Sequence, residues 1–458
     1  MTHIEELHKA QNYFFKTRKA QDIKYRIQTL QRLKKVIESK EQHIYKALAE
    51  DLGKSEFEAF LTEYNVIIGE LKNYISRISK WSRPRRVRPS VLNFPSKARI
   101  YPEPYGNVLI ISPWNYPFQL ALAPLIGAVA AGNTVVLKPS EFSNATGLLL
   151  REIIEEAFEK EHVSVALGDA QTAQELTALP WNYVFFTGSP DVGKLIYQAA
   201  AKHLTPVTLE LGGKNPCVIH ESAHIKVTAK RIVWAKFLNA GQTCIAPDYL
   251  LVHKDIKEPL VKEIKIQIHN FFGKEVKDSP DFPRINRKEH FDKLVKMMAG
   301  ESLIEGGDHI RESLFIAPTL LNEPSRSSKV MEIEIFGPIL PVISYSTKED
   351  LERWIDSYEK PLAGYCFTGS SRFEKWFINR FSFGGGVIND SIVHYLNDRL
   401  PFGGVGNSGI GSYNGQKTFE TFSHFKGVVH RGTWIDLPVV YAPYTHKLNR
   451  IKKLMNWL

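Results

Sequence analysis

Apolar residues recur at helical spacing through the first fifty positions, where Ile23, Ile27, Leu30, Leu33 and Ile37 are separated by Lys, Arg and Glu. This spacing predicts two or three amphipathic helices over 3–50. Helical patterning resumes over 56–81. Over 83–104 five prolines interrupt short alternating apolar pieces, which predicts an extended excursion or edge hairpin rather than core. Beyond Asn107 short apolar runs alternate with helical stretches. Segments 108–111, 134–138, 163–167, 183–186 and 207–211 read as strands; 117–131, 144–160, 170–178 and 192–202 read as helices. That rhythm predicts βαβ units and a parallel sheet, whose ligands bind beyond the carboxyl ends of the strands.

A second alternation comes next, with strand-like 216–220, 249–253, 340–345 and 364–368 and helical 223–239, 258–272 and 288–299. Segment 419–429 alternates like a strand. Glycine clusters at 384–386 and 403–409 predict tight turns. With 458 residues the chain suits two or three domains. Its 43% hydrophobic and 24% charged content is that of an ordinary globular protein. The net charge of +10 is spread along the chain. No aromatic-interleaved basic motif accompanies the Lys80–Arg88 cluster, so nucleic acid is not an expected partner. Three irregularly spaced cysteines argue against a disulfide framework and fit a reducing, cytoplasmic setting. The tail 447–458 is basic and amphipathic; it suits either peripheral contact with an anionic membrane or a packed terminal helix.

Candidate chemistry gathers at strand ends and turns. Cys244 follows a helical run and sits in Gly241-Gln242-Thr243-Cys244, among small residues. Alone it reads first as a structural thiol, and as a nucleophile only if partners exist elsewhere in the chain. Asn115, between Pro113 and Pro117, could aim its amide at an oxyanion or cap a helix. Lys138 and Glu141 close a strand and could grip ribose hydroxyls or be surface charges. The turn Gly188-Ser189-Pro190-Asp191-Val192-Gly193 opens a helix whose amides suit a pyrophosphate, though a plain βα turn looks the same. Glu210 lies among apolar strand residues, where burial would raise its pKa toward that of a general base. Glu334 and Phe336 precede a turn, and Phe336 could equally be core. No His/Cys cluster suggests a metal site.

Together these motifs resemble the aldehyde dehydrogenase superfamily. Pro-Trp-Asn-Tyr-Pro, Leu-Lys-Pro-Ser-Glu, Phe-Phe-Thr-Gly-Ser, Leu-Glu-Leu-Gly-Gly-Lys, Gly-Gln-Thr-Cys, Glu-Ile-Phe-Gly-Pro and Leu-Pro-Phe-Gly-Gly-Val-Gly occur in order from about residue 50 to about 432. The Cys-Ile-Ala-Pro-Asp-Tyr continuation is most similar to the class 3 branch. The resemblance implies an α/β fold: a Rossmann-like cofactor domain (1–82 and 105–209), a second α/β catalytic domain (210–411) and a small β oligomerisation arm (83–104 and 412–440). A basic tail, 441–458, completes the chain.

By the same resemblance the enzyme oxidises medium- and long-chain aliphatic, aromatic or apocarotenoid aldehydes with NAD, NADP also being usable, and forms a homodimer. Cys244 would be the nucleophile. Asn115 and the Cys244 amide would form the oxyanion hole, and Glu210 would be the base for deacylation. Lys138, Glu141, Gly188, Ser189, Gly193, Glu334 and Phe336 would hold the cofactor. Tyr64, Tyr116, Trp234, Thr243 and Phe402 would line an apolar aldehyde tunnel. Glu210 argues against transfer of the acyl group to CoA, which needs no water-activating base. Two positions depart from the family pattern: Pro190 stands where many relatives have Thr, and Ile333 where an acidic residue is usual.

Overall fold

The computed structural model describes residues 3–90, 93–436, 438 and 441–456. Two α/β layers and a small three-stranded sheet make up the molecule. The first layer is a six-stranded sheet in the order Gly409–Ile410, Val207–Glu210, Tyr183–Thr187, Asn107–Ile111, Thr134–Lys138, Val163–Val165. Its five strands from the first half of the chain are parallel, because helices return the chain between them. Strand order reverses at Asn107–Ile111, which is flanked by the next strand on one side and by Tyr183–Thr187 on the other. A crevice beyond the carboxyl ends at such a point is the natural ligand site of the fold.

Burial explains the continuous apolar runs. Val108 and Ile110 pack into the larger core while Leu109 and Ile111 pack into the smaller one. Both sheet faces are thus covered, as a parallel sheet requires. The helix Gln119–Ala131 is buried on all sides, which is why its sequence lacks a polar stripe. Of the two or three helices expected over 3–50, the structure forms three: His3–Lys16, Ile23–Ser39 and Glu41–Leu52.

The second layer is a seven-stranded sheet ordered Leu303–Glu305, Thr319–Asn322, Ile339–Tyr345, Tyr249–His253, Pro216–Ile219, Ala363–Phe367, Gly385–Ile388. The third sheet pairs Arg85–Val87 and Ser423–Arg431 with Ser96–Pro104, all antiparallel. Residues 424–431 of that last strand are exposed.

Three expectations are corrected. Gly385 and Gly386 lie in a strand rather than a turn, because a Cβ on Gly386 would sit 2.3 Å from the Gly364 carbonyl and only glycine admits that approach. Phe419 belongs to the helix Gln416–Thr421; it and Phe422 are buried, and Phe422 packs on Tyr183 and Phe185 of the first sheet. The stretch 412–422 is therefore core of the first layer rather than arm. Likewise Gly409–Ile410, expected with the catalytic domain, pairs antiparallel with Val207–Glu210. The tail forms the helix Leu448–Met455 with Leu448 and Met455 exposed; Trp457 and Leu458 lie outside the described residues. Among the described residues no helix is long and apolar enough to cross a membrane.

Candidate active site

The helix Ile225–Phe237 ends in a kink where Asn239 and Ala240 adopt left-handed backbone, φ 52° and 51°. Such strain in non-glycine residues persists only where neighbours enforce it. Here the enforcement is polar and buried. The Asn239 amide nitrogen of the backbone donates to Glu58 Oε1 at 2.9 Å, and its side-chain Nδ2 donates to the carbonyls of Asn115 (2.7 Å) and Gln242 (3.1 Å). Asn115 Nδ2 donates in turn to the Gln242 carbonyl at 3.0 Å. Asn215 Nδ2 donates to the Cys244 carbonyl at 2.7 Å, and Tyr365 OH to the Ile245 carbonyl at 2.6 Å. The thiol thus stands on a loop braced from four directions.

Beneath Asn115 lies a second brace. Buried Lys54 pairs with Glu63 at 2.5 Å. Glu63 Oε2 accepts the amides of Phe118 (2.9 Å) and Gln119 (3.2 Å). The turn between the first strand and its helix is thereby fixed.

Cys244 and Asn115 open onto a cavity of about 650 Å³ that also receives Glu210, Glu334 and Phe336. Both Glu210 oxygens are buried without a hydrogen-bond partner, and burial holds its carboxyl well above the usual 4.5. An unpaired buried carboxyl is costly unless it has work to do. Glu334 is pushed up to about 8, first by burial and then by Asp248. Its carboxylate lies against Gly212, where a Cβ would come 2.1 Å from Oε2. Burial, with Glu334 and Glu210 adding to it, pushes the Cys244 thiol up to about 12. Phe336 has φ 55°, rare for an aromatic residue. Its carbonyl meets His290 Nε2 at 2.8 Å, and its ring meets Trp114 edge-on at 5.4 Å.

Of the expected tunnel residues, Tyr116, Trp234, Thr243 and Phe402 line the cavity. Tyr116 OH and Thr243 Oγ1 share a hydrogen bond of 2.7 Å. Tyr64 does not line it: its ring turns inward against Tyr45 and Phe60, and Leu61, Thr62 and Val66 take the wall instead.

The expected cofactor residues divide. Gly188 and Ser189 line the cavity, at the amino end of the helix Pro190–Ala201. Ser189 is the N-cap but makes no side-chain cap bond, so its hydroxyl is free for a ligand. Pro190 takes the first helical position, where a missing N–H costs nothing, and the helix keeps the amides of Asp191 and Val192 for an anion. Gly193 lies behind the wall: a Cβ there would meet Leu211 at 2.7 Å, so its role is close packing of helix on strand. Lys138 and Glu141 pair with each other at 2.9 Å beyond the carboxyl end of Thr134–Lys138, outside the cavity wall.

The wall also holds Arg287, His290 and Lys293, which the sequence motifs do not single out. Their three-residue spacing on one face of Lys288–Met298 was the available signal. Free amides at a helix start, an uncapped Ser189 and an ionisable Glu334 in its glycine cradle together fit a dinucleotide.

The comparisons agree with this geometry. Residues 2–428 match the model of the Aldehyde dehydrogenase family. The chain is 42% identical over 454 residues, 99% of both chains, to 4,4'-diaponeurosporen-aldehyde dehydrogenase of Staphylococcus aureus. It is 41% identical to aldehyde dehydrogenase family 3 comG of Dictyostelium discoideum, covering 94% of this chain and 92% of that one. Among solved structures, the substrate-bound state of Staphylococcus aureus AldH superposes with a TM-score of 0.98 at 41% identity, covering 99% of this chain and all of that one. The family is NAD(P)-using. This chain belongs to the aldehyde dehydrogenase family and is an oxidoreductase acting on aldehydes.

Proposed function

We propose that the enzyme oxidises long, hydrophobic aldehydes to carboxylic acids through a thioester on Cys244. The observation that carries this reading is a thiol and an unpartnered buried carboxyl, Glu210, opening on one cavity beside the Asn115 amide. Addition of sulfur to the aldehyde carbon gives a tetrahedral thiohemiacetal alkoxide. One Asn115 N–H is held by the Gln242 carbonyl; the other, with the Cys244 amide, would stabilise that oxygen. Loss of such a donor typically costs about 3–4 kcal/mol of barrier. The bound nicotinamide supplies the hydride acceptor. The thioester left on Cys244 is opened by a water that gives its proton to Glu210, releasing the acid.

The thiol is too basic to ionise alone near neutrality, so its proton must leave as the S–C bond forms. Solvent in the cavity takes it, since Glu334, raised to about 8, is itself protonated near neutrality. Leu61, Val66, Trp234, Leu396 and Phe402 give the aldehyde an apolar wall, which suits a long alkyl, aromatic or polyene chain. The similarity to 4,4'-diaponeurosporen-aldehyde dehydrogenase of Staphylococcus aureus supports the same class. NAD is the proposed cofactor, with NADP tolerated: Glu141 suits a free ribose hydroxyl, but Lys138 already balances its charge.

The exposed strand Ser423–Arg431 is proposed to extend a sheet across a homodimer. The helix Leu448–Met455, with exposed Leu448 and Met455 beside Lys452 and Lys453, is proposed to rest on anionic lipid. Co-sedimentation with phosphatidylglycerol vesicles, with and without residues 447–458, tests that contact. For the central reading the decisive variant is Cys244→Ala: aldehyde-dependent NAD(P)H formation surviving it overturns the assignment.

A further inference from the structure

Arg287 stands at the edge of the cavity and makes no ion pair among the described residues. It is the N-cap of Lys288–Met298, and its side chain spans toward the first layer. There its guanidinium carbon lies 3.9 Å from the centre of the Phe142 ring. Phe142 directly follows Glu141, and its carbonyl is held by Asn286 Nδ2 at 2.7 Å. The Asn286 backbone amide is held by Gln242 Oε1 at 3.0 Å, which ties this corner to the loop of Cys244.

The guanidinium is nonetheless unsatisfied. Its Nε and Nη1 are buried and have no hydrogen-bond partner. Lys293 on the same wall is a further cation, and Arg287 lowers the pKa of both Lys293 and His290. Buried N–H groups of a cation without a partner are costly, and the stack on Phe142 satisfies the guanidinium face but neither Nε nor Nη1. An anion entering the cleft would complete it. Aldehydes carry no charge, whereas a dinucleotide brings phosphates, and the helix amides beside Ser189 already mark where phosphate can lie.

We propose that Arg287 binds a phosphate of the dinucleotide cofactor, reaching from the second layer across the cleft to the first. This rests on the reading of the cavity as a cofactor site. The phosphate is either in the pyrophosphate bridge or on the ribose 2′ oxygen, and the probes tell these apart.

The test is calorimetric binding of NAD, NADP, ADP-ribose and adenosine 2′,5′-bisphosphate to the full chain, wild type against Arg287→Met and Arg287→Lys. The Met variant is expected to raise Kd about ten- to hundredfold, the range of a charge-assisted hydrogen bond. A pyrophosphate contact weakens NAD, NADP and ADP-ribose alike. A 2′-phosphate contact weakens only NADP and the bisphosphate. In either case the Kd of wild type should rise with salt more steeply than that of the Met variant, and the Lys variant should recover part of the loss. A purely structural staple on Phe142 would lower the melting temperature without flattening the salt dependence. Kd values within twofold of wild type for all four probes overturn the proposal while leaving the dehydrogenase reading intact. A wild-type chain that binds none of them overturns both.

Discussion

Gly241 and Gly337 meet backbone to backbone: a Cβ on Gly241 would lie 2.3 Å from the Gly337 carbonyl oxygen. The contact joins the loop of Cys244 to the loop of Glu334 and Phe336, so the proposed nucleophile and the proposed cofactor wall share one support. Gly241 also has φ +76°, which a side chain resists. The Gly241→Ala variant therefore has no soft neighbour to displace. It is expected to lose roughly 1–2 kcal/mol from backbone conformation alone, and more from the clash. Thermal melting should show the loss, and the rate of Cys244 alkylation should show the displaced loop.

The Cys244 thiol, raised from 9.0 to about 12, sets a second expectation. In the enzyme without ligands, alkylation by iodoacetamide should keep climbing through pH 9 and pH 10, where an ordinary thiol has levelled off. Removing a negative neighbour favours the thiolate, so Glu334→Gln should alkylate faster than wild type. That gap should open above pH 8, where Glu334, itself raised to about 8, becomes charged. A plateau near pH 9 in wild type would rule out the described surroundings of the thiol.

Glu210→Gln separates the two half-reactions. By the proposed mechanism the first half-reaction needs Cys244 and Asn115, and only the second needs a base for water. A rapid burst of NAD(P)H should survive while steady turnover falls about 10²- to 10⁴-fold, the usual worth of a general base. Mass spectrometry should find the acyl group on Cys244. Loss of the burst along with turnover would give Glu210 an earlier role, as the acceptor of the thiol proton.

Glu58, beneath the Asn239 kink, is pushed from 4.5 to about 7, chiefly by burial and against the pull of Lys54 and the Asn239 amide. Glu63 and Asp281 push in the same direction as burial. A carboxyl whose folded pKa is raised favours the fold while protonated, below 4.5, and loses that contribution as pH rises through 7. Gln keeps the acceptor for Asn239 without the charge. Glu58→Gln should melt with wild type at pH 4.5 and above it at pH 8, by an amount approaching about 3 kcal/mol. Equal melting at both values would mean that Glu58 is paired more fully than its burial implies.

Much of the site was written in the chain. Asn115 follows a strand, Glu210 ends one, Glu334 precedes a turn and Cys244 follows a helical run; a polar residue at such an end stands out against the apolar run beside it. Tyr64 was expected in the tunnel from the resemblance alone, and the structure turns it away. The segment over 56–81 reads as one continuous helix, but Phe60–Tyr64 is a π-helical turn. Its extra residue per turn rotates the rest of the helix, so Tyr64 faces Tyr45 while Leu61, Thr62 and Val66 face the cavity. Gly385 and Gly386 misled in the opposite way, since glycine serves close strand packing as well as turns. Phe419 and Phe422 are three residues apart, a spacing that suits a helix as well as a loose alternation. Arg287 shares a three-residue spacing with His290 and Lys293, but its stack on Phe142, far away in sequence, had no local signature.

The pairing of Gly409–Ile410 with Val207–Glu210 has a consequence for biosynthesis. The strand that carries Glu210 leaves the ribosome without its outer neighbour, which emerges about 200 residues later, or roughly 10–40 s at ordinary elongation rates. During that interval an unpaired edge is open to wrong partners, a chaperone or another nascent chain. Completion of the sheet around Glu210 thus waits for nearly the whole polypeptide, and a chain truncated before Gly409 would carry Asn115, Glu210 and Cys244 yet lack the strand that closes the sheet beside Glu210.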